Sequence, residues 1–263
     1  MSKTQLSPRT PELAVRALRK VPEVTIFFWI VKLLTTAMGE STSDYLVYHI
    51  DPYLAVALGG VGLLASLLLQ LAARRYVAWI YWLAVTMVAI SGTMAADILH
   101  IVLGVSYLAS SVGLLLALAL IFGAWYASER TLSIHSITTL RRELFYWAAI
   151  GVTFALGTAA GDLAAATLKL GYFSAGLLFV ALFATPALTY QLSGLNAIVA
   201  FWLAYIMTRP LGASFADWFG KSSLGGLGLG DGWVTLVLSL LIAGFVGYLT
   251  VTRRDCERAE RER

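Results

Sequence analysis

Charge is scarce in this chain: 13% of its 263 residues are Asp, Glu, Lys or Arg, against roughly 25% in ordinary soluble domains. With 59% hydrophobic residues arriving in long runs, the composition points to a polytopic membrane protein. Cysteine is nearly absent. The single one, Cys256, sits in the charged C-terminal tail, which excludes an intrachain disulfide framework and a Cys-based metal cage. Soft-metal chemistry is therefore disfavoured. Nucleophile elbow, phosphate loop and HExxH motifs are missing too, so neither an enzymatic activity nor a cofactor is expected. The net charge of +4 does not indicate nucleic acid, because the basic residues collect in the tails and alternate loops. There they read as topology signals.

What the chain does have is a repeated skeleton. An aromatic pair, Phe28-Trp29, is followed by Gly39, then by Ser43 and Asp44. The same spacing recurs in Tyr81-Trp82, Gly92, Ala96, Asp97; in Tyr146-Trp147, Gly157, Gly161, Asp162; and in Phe201-Trp202, Gly212, Ala216, Asp217. Four copies of [FY]-W-x9-G-x3-[SAG]-D without an insertion define a tandem array.

Each copy pairs a polar, Asp-bearing helix with an apolar one. The expected spans are about 22–48, 53–73, 76–101, 105–127, 143–169, 172–190, 195–219 and 232–252. The first helix is placed from Pro22, with Pro22 and Glu23 suited to a first turn. It resembles a signal peptide only superficially, since it holds Lys32, Glu40 and Asp44 and is repeat one of the array; it is expected to be retained. The domain plan is an N-terminal tail 1–20, a transmembrane domain 21–252 (repeats about 21–73, 76–127, 143–190 and 195–252), and a C-terminal tail 253–263. With the N-terminus inside, fifteen of nineteen basic residues fall on the cytoplasmic side, leaving Lys169 and Lys221 outside and Lys32 and Arg209 within spans. The expectation is a multi-pass protein of the bacterial inner membrane with both termini cytoplasmic. The fold class is all-α, with eight transmembrane helices from four parallel-oriented two-helix repeats. Two helices per repeat make every repeat point the same way, giving pseudo-rotational symmetry about the membrane normal rather than an inverted repeat.

With each Trp as position zero on a helix of ~100° per residue, the Gly at +10 and the small residue at +14 share one stripe. That small-xxx-small pattern lets helix backbones approach closely. The neighbouring stripe carries Asp44, Asp97, Asp162 and Asp217 at +15, and Glu40, Thr93, Thr158 and Ala213 at +11. A carboxylate inside a span is costly and marks ion pathways or proton relays, facing a bundle interior or a watery cavity. The alternative is that the four Asp are repeat architecture, capping helices or bonding neighbouring groups. Repeat one alone adds Lys32, Thr36 and Glu40, and repeat four alone adds Arg209 and Pro210. Glu40 and Asp44, one turn apart, repel when both are ionised unless a cation intervenes; Glu40 has Lys32 or Arg209 as a neutralising partner. Pro210 either frees carbonyls at mid-membrane or makes a simple kink. Asp97 and His100, at i,i+3, could hold a divalent metal, with His49 and Asp51 on the same side.

The skeleton resembles a bacterial family of uncharacterised integral membrane proteins, a domain-of-unknown-function family with four tandem two-helix repeats sharing a Trp. Here those residues are Trp29, Trp82, Trp147 and Trp202, and KVPEVTIFFWIVKLLTTAMGE looks typical of repeat one. The resemblance covers about residues 20–252 and implies a fold, not an activity. The expected function, argued from the acids, is transport of a small cation coupled to protons. Glu40, Asp44, Asp97, Asp162 and Asp217 would line the path, and Lys32, Arg209 and Thr36 lie beside it. The partners are then the lipid bilayer, a small cation and protons, without nucleic acid and with an oligomer possible. The competing readings are a non-transporting membrane scaffold or sensor with a paired polar core, and an exporter of an organic or anionic solute.

Overall fold

The computed structural model describes residues 19–256; the tail residues Lys3, Arg9, Arg16, Arg258, Arg261 and Arg263 lie outside them. Eight long helices follow in order: α1 Ile26–His49, α2 Pro52–Ala72, α3 Ala78–Asp97, α4 Tyr107–Glu129, α5 Leu140–Asp162, α6 Gly171–Ser193, α7 Ala197–Gly220 and α8 Asp231–Thr252. No strand occurs among the described residues. Seven of these helices are long and apolar enough to cross a membrane. The eighth, α1, has 24 residues but carries Lys32, Glu40 and Asp44. The chain is a polytopic all-α protein.

The start of α1 differs from the sequence expectation. It begins at Ile26, where the Thr25 hydroxyl accepts from the Phe28 amide at 3.4 Å, an N-cap that fixes the first turn. Pro22 and Glu23 precede it, because Glu23 is drawn across the bundle end. Its amide donates to the Asp255 carbonyl at 2.9 Å, and its carboxylate pairs with Arg19 and with His135. The short turn between α6 and α7 closes with Gly194 in the left-handed region (φ 69°) and the Asn196 side chain capping α7.

The odd-numbered helices form a closed inner ring in which α1 packs on α3, α3 on α5, α5 on α7 and α7 on α1. Glycine spacing sets this closure. A Cβ added at Gly39 would strike Ala89, one at Gly92 would strike Phe154, one at Gly157 would strike Arg209, and one at Gly212 would strike Thr36. Each +10 glycine thus receives the +7 residue of the next repeat, and the fourth receives that of the first. The aromatic pairs close in the same cyclic sense: Phe28 lies 5.8 Å from Trp82, Tyr81 5.8 Å from Trp147, Tyr146 6.2 Å from Trp202 and Phe201 5.8 Å from Trp29. These rings seal the end of the ring where the inner helices start.

The apolar helices cover the outside, each chiefly against the following repeat: α2 on α3, α4 on α5, α6 on α7 and α8 on α1. Each outer helix is thus staggered toward the following repeat. Small residues explain it, because Gly59 and Gly62 of α2 receive Met94 and Met87 of α3, and Gly176 of α6 receives the Phe215 ring of α7.

Symmetry breaks at the far end. The helices bearing Asp97 and Asp162 continue into π turns, Ile98–Val102 and Leu163–Thr167, whereas α1 and α7 remain α-helical past Asp44 and Asp217. Pro210 lies within an unbroken α7.

The glycine contacts predict a sharp positional contrast. At Gly92 an added Cβ would sit 2.6 Å from the Phe154 Cβ, with backbone behind it, whereas at Gly151 nothing lies within 4 Å. Gly92→Ala should therefore destabilise by about 1–3 kcal/mol, the usual cost of overpacking, and Gly151→Ala should be neutral or stabilising. Thermal unfolding of the two variants in detergent micelles measures this; equal midpoints would contradict it.

Candidate ion-binding core

Because the four inner helices run in register, residues at one offset from the Trp meet in one layer. From +3 to +15 the layers rise ~18 Å at ~1.5 Å per residue. The lowest contains Lys32, which is fully buried. Its Nζ has no hydrogen-bond partner and lies 3.8 Å from the Phe154 ring centroid and 4.2 Å from that of Tyr205.

One turn higher, Arg209 reaches into the axis from α7. Its Nη1 donates to the Thr36 carbonyl at 3.0 Å, and its Nη2 donates to Glu40 Oε2 at 2.7 Å and to the Thr158 hydroxyl at 2.7 Å, with the Thr93 hydroxyl also in contact. The Thr93 and Thr158 hydroxyls lie 3.2 and 3.3 Å from Glu40 Oε2 and can donate to it. Three repeats supply this layer from position +11. The fourth has Ala213 there and supplies Arg209 from one turn earlier. Arg209, Glu40, Thr93 and Thr158 are all buried. A buried ion pair is tolerable only with such additional hydrogen bonds to offset its desolvation.

The top layer holds the four Asp. Lys221, which caps α7 at the ring's far end, extends its Nζ to 2.9 Å from Asp44 Oδ2 and 2.8 Å from Asp217 Oδ1. Burial works against the Lys221 ammonium, but Asp217, Asp44 and Glu40 outweigh it and hold the group well above the usual lysine value. Carboxylate oxygens of Glu40, Asp44 and Asp217 all lie within 4.8 Å of one another, close enough to hold a metal ion. Asp97 and Asp162 share the field of Glu40, Asp44 and Lys221 but form no ion pair among the described residues. Beside this layer, a cleft of about 650 Å³ between α1 and α8 is lined by residues that include Tyr45, His49, Asp231 and Trp233.

The axis thus gathers Lys32, Thr36, Glu40, Arg209 and the four Asp, all singled out in the sequence. Glu40 pairs with Arg209 and not with Lys32. A π turn begins between Asp97 and His100 and widens the helix there. The His100 ring stacks on Tyr107 at 3.7 Å, with Nδ1 2.9 Å from the Val105 carbonyl. His49 bonds the Tyr45 carbonyl at 2.8 Å, and Asp51 caps α2. Lys221 was missed as a site residue; its position four residues after Asp217 was the available signal.

The sequence pattern described as "Repeat of Unknown Function (DUF347)" matches residues 27–76, 80–131, 145–194 and 200–255. The chain belongs to this repeat family. No curated protein and no solved structure matches it. Each DUF347 match begins just before the shared Trp and covers one inner and one outer helix, so the layers of the core are built from equivalent repeat positions.

The buried pair predicts a charge-dependent stability pattern. Arg209→Met or Glu40→Leu alone leaves one charge or its threonine partners uncompensated and should cost about 3–5 kcal/mol, whereas the two combined should cost much less than the sum. Thermal unfolding of the two single variants and the double variant measures the coupling; strictly additive losses would contradict it.

Proposed function

We propose that the protein is a membrane transporter for a small divalent cation coupled to protons, with Glu40, Asp44 and Asp217 as the cation-binding group and Asp97 and Asp162 lining its approach. The observation that carries this reading is an imbalance: five carboxyl groups gather toward one end of the axis, and among the described residues two cationic side chains pair with three of them, Arg209 with Glu40 and Lys221 with Asp44 and Asp217. Unbalanced carboxylates in a membrane interior call for protons or a cation. An all-oxygen donor set suits a hard ion of the magnesium, manganese or calcium type. Access from that end is consistent with partial exposure of Asp44, Asp97 and Asp162.

One observation favours the scaffold reading instead, namely the closed Arg209, Glu40, Thr93 and Thr158 network, which contains no spare donor for a ligand except Arg209 Nε. Reconstituted vesicles separate the two. With manganese(II) and an imposed pH gradient, the wild type should carry ions, and Asp44→Asn and Asp217→Asn should each reduce flux by about tenfold or more, as expected for a lost ligand. No flux for any ion in a divalent panel, or full flux in both variants, would sink the transport reading.

We place the protein in a bacterial inner membrane with the starts of the inner helices on the cytoplasmic side. Among the described residues, Arg74, Arg75, Arg130, Arg141, Arg142, Arg253 and Arg254 lie toward that end, and Lys169 and Lys221 toward the other. A fluorescent protein fused after Arg263 should then fluoresce, and an alkaline phosphatase fused at the same point should be inactive. The reverse pattern would invert the topology.

A further inference from the structure

Lys32 is not used by the carboxylate group, and its setting is unusual. The side chain is completely buried, its Nζ has no hydrogen-bond acceptor, and the faces of Phe154 and Tyr205 are its nearest partners. Cation-π contact offsets only part of the cost of burying an ammonium. The nearest carboxylate, Glu40, is engaged by Arg209. Two basic residues therefore flank Phe154, whose ring centroid is 5.4 Å from Arg209 Cζ, and they differ in chemistry. Arginine keeps its proton in every protein setting, whereas a buried lysine amine can give its proton up.

By their offsets, the titratable groups nearest the level of this amine on the packed helices are few. From α1 itself there is Glu40, two turns on; from α3, Tyr81; from α5, Tyr146; from α7, Tyr205 and Arg209. The adjoining α8 carries Asp231 and Tyr248 only at its ends, and α2 carries Tyr53 alone. Two of these tyrosines are joined through their hydroxyls. The Tyr76 hydroxyl donates to Asp255 at the sealed end of the bundle, and the Tyr76 ring lies 5.7 Å from Tyr81. The Tyr81 and Tyr146 hydroxyls are hydrogen-bonded to each other, whereas the buried Tyr205 hydroxyl has no hydrogen-bond partner and its ring lies over Lys32.

We propose that Lys32 is a proton-binding site, loaded from the end of the bundle opposite the four Asp with the bonded Tyr81 and Tyr146 hydroxyls on its path. The Nζ lone pair takes one proton, which hydroxyls pass along without net change in themselves. The added charge repels Arg209 and offsets one positive charge leaving the carboxylates. This coupling step rests on the transport reading; the proton site does not.

Two measurements test it. In nanodiscs with ¹⁵N-lysine, the Nζ signal abolished by Lys32→Arg should switch between amine and ammonium forms within the pH range in which the protein stays folded, as a buried lysine amine can. A Lys32 signal that stays ammonium throughout would overturn the site, whatever the flux. In vesicles, manganese(II) flux through Lys32→Met and Lys32→Arg should lose its dependence on the pH gradient. Tyr146→Phe should slow proton uptake after a pH jump, read by pyranine, while leaving the Nζ titration in place. Unaltered pH dependence in both Lys32 variants, or unaltered uptake in Tyr146→Phe, would overturn the coupling role or the path respectively. A titrating Lys32 in a protein that carries no ion would fell the transport reading and leave the proton site standing.

Discussion

Close approach of the inner helices is the constraint on which the rest depends. Each +10 glycine gives up its side-chain space to the +7 residue of the next repeat, and four such contacts close a ring with no edge to lipid. Within a bilayer there is little hydrophobic drive for helices to associate, so fine packing of small residues has to supply it. Once the ring is closed, equivalent residues must stack in layers. A polar residue placed at an inward offset then meets three counterparts, and the apolar helices only have to cover the outside.

That geometry makes small departures from the repeat consequential. Glu40, Thr93 and Thr158 occupy one layer, and Arg209 enters it because repeat four has Ala213 there. Lys32 has Val85 and Ile150 as its equivalents in repeats two and three, so its ammonium meets aromatic faces and no acceptor. The charged additions belong to repeats one and four, which are neighbours in the ring. The π turns belong to repeats two and three. A four-fold scaffold is thereby split into a charged half and a half whose helix ends are rewound next to their Asp residues.

The two ends of the axis differ in kind. Where the inner helices start, aromatic rings, the strand of chain before α1 and the Asp255 contact close the bundle. At the other end, carboxylates outnumber cations and three of the four Asp are partly exposed. Polarity of this sort follows from all repeats pointing the same way, since an inverted repeat would place the same groups at both ends.

Much of this was legible in the residues. The spacing of Trp, Gly and Asp set the repeat number, the helix count and the parallel orientation, because period and apolar length are local properties. Lys32, Glu40 and Arg209 stood out as departures from their own repeat. Other features needed the assembled ring. Whether Glu40 takes Lys32 or Arg209 depends on which neighbour's side chain enters its layer. The stagger of the outer helices depends on which groove each one fills, and the setting of His100 against Tyr107 on where the helix widens. Lys221 passed as a loop residue because its importance lies in reaching Asp44, far away in the chain. Sequence by itself determined the repeated element and the faces it presents, since both follow from helical period. Only tertiary structure decided which charges meet, because that depends on ring closure bringing the last repeat against the first.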